Sequence, residues 1–315
     1  MSDVDRQLLD PCLSTNSRAV TQEQGCRRIP RADNPADTKF GQANSRPAEE
    51  EAMRSGGTLA EPTYSSYLQI GRLLDLQRPL STPEHHDELH FIVTHQAMEL
   101  WFKVMIHELN RVQQYLADQS WTQAVTKMRR VNAILTAQTA QLDTLTTLDP
   151  QAFMGFRRFL GSASGFQSIQ FRALELLGGI RDPAYLNQLR HSYDGHLPPL
   201  LAKMAAAPSL AETASGAPEA AGVRDWCDVY ADPNCHGQLF LIGEELIEYD
   251  RRWIIWRQAH MLLVEQIIGP GQRGTGGRST RYLQHNAHRR HFPFIWEVRN
   301  RIAEANGSPG EPRLL

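Results

Sequence analysis

The chain has 315 residues, 41% hydrophobic and 22% charged, with 33 Lys and Arg against 35 Asp and Glu. A net charge of −2 removes the electrostatic case for a general binder of nucleic acid or acidic membrane, and no apolar run approaches the ~20 residues that span a bilayer. The opening residues, MSDVDRQLLDPCLSTNSR, lack the apolar core of a secretory signal, and Cys12, Cys26, Cys227 and Cys235 show no CxxC spacing. The expectation is a cytoplasmic globular protein with neither a disulfide framework nor a zinc ribbon.

In chain order, residues 1–60 contain a single aromatic, Phe40, among Asp, Glu, Arg, Ser, Asn, Pro and Gly. Such a stretch buries too little apolar surface to offset its ordering entropy, so it is expected to be a disordered arm. From Pro83-Glu84 onward, Leu89, Ile92, Val93, Ala97, Leu100, Val104 and Leu109 recur at three- and four-residue steps and predict a long helix. Trp121–Leu148 repeats the pattern with Val125, Met128, Val131, Ile134, Leu135, Leu142 and Leu145, and Asp149-Pro150 stops it. Phe166–Leu177 is a shorter helix that ends at Gly178-Gly179. The Ala-, Pro-, Ser- and Gly-rich residues 205–222 read mainly as a surface loop with room for a turn or two of helix. Leu239–Ile268 is the longest predicted helix, carrying Leu246, Ile247, Trp253, Trp256, Leu263, Val264 and Ile267 and ending at Gly269-Pro270. Strand alternation, Asn-Gly hairpins and fixed-period repeats are missing, so an all-α bundle over residues 61–305 is predicted, with a short tail at 306–315.

Four segments could carry chemistry. On the first long helix, Phe91, His95, Met98 and Phe102 fall on one face, so His95 projects from an apolar stripe. A metal pair His86/His90 has i,i+4 spacing, but HExxH is absent and His90 and His95 diverge, so a satisfied structural histidine is the alternative. His260 lies on the stripe Trp253, Trp256, Leu263 and Ile267, where a neutral imidazole needs a partner, one candidate being a haem iron. The loop Gly269–Ser279, GPGQRGTGGRS, follows a helix and has no Lys after its last Gly, so it fits a mobile lid or a plain connection rather than a phosphate loop. Phe153–Ser168, FMGFRRFLGSASGFQS, sets Arg157 and Arg158 beside aromatics and glycines, suiting a clamp on a carboxylate or a surface ion pair. The basic residues Arg281, His288, Arg289, Arg290, His291, Arg299 and Arg301 are expected on a solvated face.

Taken in order, YSSYL at 64–68, QRPLS at 77–81, HDELHFIVTHQAMELWFK, FRRFLGSASGFQS, WRQAH around His260 and GTGG at 274–277 resemble the tryptophan 2,3-dioxygenase family over about residues 60–300. The resemblance implies an all-helical bundle enclosing a haem b pocket, commonly a homotetramer, that adds O2 across the indole C2–C3 bond of L-tryptophan. The product would be N-formyl-L-kynurenine, the first step of tryptophan catabolism by the kynurenine pathway. It implies that His260 is the proximal iron ligand, with Trp256 and Gly165 beside the cofactor. It implies that His95 hydrogen-bonds the indole nitrogen, that Phe91 and Phe153 pack the indole, and that Arg157 grips the carboxylate. Thr275 would hold the amino-acid head group, and Tyr64, Tyr67 and Leu68 would belong to a segment reaching a neighbouring subunit's site. After GTGG the family continues Ser-Ser-Gly, whereas Arg278-Ser279-Thr280-Arg281 stands here before Tyr282-Leu283. The alternatives are therefore a haem monooxygenase of the same superfamily that turns tryptophan or a substituted tryptophan into an oxindole, and a non-catalytic haem-binding module.

Overall fold

The computed structural model describes residues 61–277 and 287–307. The arm expected over 1–60, the residues after GTGG from Arg278 to Leu283, and most of the tail at 306–315 lie outside the described residues. What is described is all-α, and no helix among those residues is long and apolar enough to cross a membrane.

Two short helices, α1 (Tyr64–Leu68) and α2 (Ile70–Leu74), come first and bury no residue. The long α3 (His86–Ala117) and α4 (Trp121–Leu145) follow, then α5 (Pro150–Arg157), α6 (Ile169–Gly178), α7 (Pro183–His191) and α8 (Pro199–Ala206). After α9 (Leu210–Ser215), α10 (Ala217–Ala220) and α11 (Trp226–Ala231) come the second 32-residue helix, α12 (Gly237–Ile268), and finally α13 (Pro293–Ala305). Helix α4 packs against both α3 and α12, and α6 packs on α3.

The apolar stripes explain this arrangement. Helix α4 buries Val125, Met128, Val131, Ile134, Leu135, Leu142 and Leu145, the full set read from its periodicity. Helix α12 buries Leu246, Tyr249, Trp253, Trp256, Leu263 and Ile267, while Ile247 and Val264 are only partly covered. In α3 the core face differs from the predicted one. Met98, Phe102, Met105, Leu109, Val112 and Leu116 are buried, whereas Leu89, Val93 and Leu100 are 46%, 45% and 52% exposed. This helix is apolar on two sides, and periodicity alone does not say which side meets α4.

Two other expectations change. Residues 205–222 hold α9 and α10 rather than a plain surface loop: Ser209 and Glu212 form a capping box, and Leu210, Ala214 and Ala217 reach the core. The basic residues near the end are not simply solvated. His291 is 1% exposed, Arg289 pairs with Asp182, and Arg299 pairs with Glu244 at 2.6 Å. Asp250, itself fully buried, accepts the backbone N–H of His291 at 2.7 Å and that of Phe292 at 3.1 Å, and so anchors the start of α13 to α12.

The end of α6 shows how tightly this region is packed. Gly179 caps the helix at φ 129°, and a β-carbon on Gly178 would stand 2.1 Å from Cδ2 of the His291 ring. That ring is wedged between Tyr249 and Trp253 at centroid distances of 5.1 and 4.8 Å. Gly178→Ala is therefore expected to destabilise the fold by about 1–3 kcal/mol through overpacking. Urea unfolding checks it, and an unchanged midpoint would show that the ring has room to move.

Candidate active site

One cavity of about 710 Å³ opens between α3, α5, α6 and α12. Its walls are mainly apolar, with Leu142 and Leu145 from α4 and Leu263, Val264 and Ile267 from α12 among them. Of the residues singled out from the sequence, Phe91, His95, Phe153, Arg157, Gly165, Trp256, His260 and Thr275 all line this space. Tyr64, Tyr67 and Leu68 do not. They stand on α1, with Tyr64 and Tyr67 each 77% exposed.

His260 lies in α12, its ring stacked on that of Trp256 at 5.5 Å and 9°. That contact follows from i,i+4 spacing on one helix face. Burial pushes the imidazole towards its neutral form, to a pKa of about 4, and repulsion from His95 and Arg257 adds to the effect. The neutral ring keeps a lone pair available to a metal or a donor hydrogen.

His95 lies in α3. Its Nδ1 is 2.7 Å from the Phe91 carbonyl oxygen; a carbonyl only accepts, so Nδ1 carries the proton and Nε2 is left as an acceptor. Burial depresses this pKa too, while the Phe91 carbonyl and the Glu99 carboxylate work in the opposite direction. The Phe91 ring sits 4.1 Å from the imidazole and 5.8 Å from Phe153, so the two rings and His95 form a continuous flat-sided wall.

At another edge, Asp149 caps α5 by accepting from the Ala152 N–H at 2.8 Å, which sets the helix that carries Phe153 and Arg157. The Arg157 guanidinium lies 5.9 Å above the Phe153 ring and donates to the Arg273 carbonyl. Thr275 donates its hydroxyl to the Ala163 carbonyl. A β-carbon on Gly276 would fall 2.6 Å from that of Ser164. Glycine is thus required for the 274–277 turn to lie against the segment after α5.

Sequence reasoning missed several lining groups. Glu99 lies one turn beyond His95, its carboxylate held by Gln170 at 2.8 Å. Arg257 and Arg172 both reach the cavity and share the buried Glu175, at 3.0 and 2.7 Å. Arg257 was within reach of the sequence, since it precedes His260 by three positions and falls on the same helix face. Arg172 and Glu175 form an i,i+3 pair, but nothing in the sequence says that the pair is buried. Arg78, Leu80, Glu88 and Gln96 also line the space.

The histidine shifts make stability pH-dependent. In the unfolded chain a histidine titrates near 6.5, so unfolding of the cofactor-free protein takes up a proton at His260 between that value and about 4. Stability from this group is complete above the unfolded value and is lost as pH falls through that window, by about 2 kcal/mol after allowance for solvent in the cavity. Urea titrations at pH 7.5 and 4.5 are expected to show a smaller difference for His260→Leu than for the parent chain; equal differences would contradict the assignment.

The family model described as tryptophan 2,3-dioxygenase matches residues 48–225. The chain is 37% identical to the tryptophan 2,3-dioxygenase of Caulobacter vibrioides, over 76% of this chain and 98% of that protein. It is 34% identical to the enzyme of that name from Saccharopolyspora erythraea, over 82% of this chain and 99% of that protein. Identity to the Myxococcus xanthus tryptophan 2,3-dioxygenase is 35%, over 80% and 91% of the two chains. A family match over more than half its length, with relatives matched almost end to end, establishes that the chain belongs to the tryptophan 2,3-dioxygenase family of oxidoreductases.

Proposed function

We propose that the chain is a haem-dependent dioxygenase that adds both atoms of O2 across the indole C2–C3 bond of L-tryptophan. The product is N-formyl-L-kynurenine, and the reaction opens the kynurenine route of tryptophan catabolism. The observation that carries this reading is the meeting of His95 from α3, His260 from α12 and Arg157 from α5 on one largely apolar cavity.

The residues present fit a haem. His260 is held neutral, as an iron ligand must be. Among the described residues the buried indole N–H of Trp256, stacked on His260, has no hydrogen-bond partner, and Gly165 leaves open space where a β-carbon would stand. The aliphatic wall from α4 and α12 suits a flat macrocycle. When bound, haem supplies the iron chemistry that activates dioxygen.

The remaining work falls to the chain's own side chains. His260 would hold the iron from one side. His95 would accept the indole N–H at Nε2, a role open only to the tautomer that its bond to Phe91 selects. Phe91 and Phe153 would flank the indole. Arg157 would exchange the Arg273 carbonyl for the substrate carboxylate, a stronger, charge-assisted partner. Thr275 would steady the head group. Holding the ring in near-attack geometry contributes several kcal/mol of the rate enhancement. The reading includes assembly: the exposed Tyr64 and Tyr67 of α1, and Leu89, Val93 and Leu100 of α3, leave apolar surface that a homotetramer would cover.

Mass spectrometry after incubation with L-tryptophan under air tests the reaction. A product heavier by two oxygen atoms is expected; a gain of one would point to the oxindole-forming alternative, and no product to a binding module. Arg157→Ala is expected to lower kcat/KM for L-tryptophan by about 30- to 1,000-fold, the equivalent of about 2–4 kcal/mol. For tryptamine, which has no carboxylate, the same substitution should have little effect. An equal loss on both substrates would contradict the role given to Arg157.

A further inference from the structure

We propose that residues 76–81 form a strap that walls the cavity beside the Phe91–His95 turn, and that Gln96 and Glu88 are the positioning residues that fasten it. The proposal rests on the function just given and adds a determinant of substrate affinity at the same site.

The strap joins α2 to α3 without helical structure of its own. At its start, Gln96 donates to the Leu76 carbonyl at 3.1 Å and accepts from the Gln77 side chain. At its end, the two carboxylate oxygens of Glu88 accept the Leu80 and Ser81 N–H groups at 2.7 and 3.0 Å. The Ser81 hydroxyl oxygen then accepts the His85 N–H at 2.8 Å, just before α3 begins.

The order of these contacts fixes the direction. The strap runs from Gln96 back to Glu88, antiparallel to α3. Eight residues of helix rise about 12 Å, and five steps of extended chain reach at most about 17 Å, so the strap can span the interval with little slack. Phe91, Ile92 and His95 lie within that interval, and Arg78 and Leu80 of the strap line the cavity beside them.

Polar contacts dominate the fastening. Helices α1 and α2 bury nothing, and Leu76 and Leu80 are 62% and 63% exposed. Glu88, by contrast, is 1% exposed, so its two charge-assisted bonds act where water competes least. Gln96 directly follows His95 in the chain. Fastened, the strap holds Arg78 and Leu80 along the cavity beside Phe91 and His95, so the substrate meets a preformed wall. Loosened, it leaves that wall to be ordered on binding. The effect falls on binding before it falls on chemistry.

The test uses Gln96→Leu in the haem-loaded enzyme. This change keeps the side chain's bulk and removes both of its bonds. Hydrogen exchange over peptides containing residues 76–81 is expected to rise while exchange in α4 stays as in the parent. The Kd for L-tryptophan by equilibrium dialysis, and KM with it, should rise about five- to thirty-fold, the loss of one or two hydrogen bonds' worth of fit, with kcat falling by less. Gln96→Glu, which keeps the acceptor for Gln77, should fall between. If Gln96→Leu does not accumulate folded, Glu88→Gln decides by the same readouts. Faster strap exchange with Kd unchanged would overturn the proposal, as would a loss confined to kcat. Failure of the parent enzyme itself to bind L-tryptophan would overturn the function and the strap together, whereas tight parent binding with an unmoved Kd in the variant would overturn the strap alone.

Discussion

Two imidazoles, each supplied by a 32-residue helix, border a space that neither helix fills. That opposition depends on α4, which packs against both α3 and α12 and sets how far apart they stand. Packed interiors normally leave no void of this size. Here the paired rings of Phe91 and Phe153 and the Trp256–His260 stack all border it. Low polarity in the walls then does chemical work, because it holds His260 neutral and strengthens every hydrogen bond made inside.

Most of the described charged groups that border this apolar space meet a charged or backbone partner from the chain. Arg172 and Arg257 share Glu175, which also accepts the Tyr185 hydroxyl. Glu99 is held by Gln170, and Glu88 by two backbone amides. Each pairing compensates a desolvation cost of several kcal/mol that an isolated ion would bear. Arg157 differs in kind. Among the described residues its hydrogen-bond partners are a backbone carbonyl and the sulfur of Met154, neither of them charged. A carboxylate would complete it better than either does.

The helices were legible where one face alone is apolar. In α4 and α12 the stripes read from the sequence are largely those that pack. In α3 they were not, because Leu89, Val93 and Leu100 stand as regularly as Met98, Phe102 and Met105, and only the position of α4 separates core from surface. His291 misled for a related reason: set among arginines it reads as surface, yet Asp250 draws its backbone into the interior. The placing of Phe91 and His95 on one stripe with Met98 and Phe102 was legible from helical geometry. That Arg157 and Thr275, more than a hundred positions apart, border the same cavity was suggested by family resemblance, since no local pattern encodes such a meeting. The segment QRPLS was legible only as part of the family resemblance; its fastening was not, because most of its hydrogen bonds join side chains to a backbone that any sequence carries.

The proposed reaction depends on His260 as the single protein ligand to a haem iron. Titrating the protein with haem and following the Soret band measures this directly. Saturation is expected at one haem per chain, with loss of that band's characteristic position and of tight binding in His260→Ala while the helical content is preserved. A chain that stays colourless, or a His260→Ala variant that binds haem with an unaltered spectrum, would contradict it.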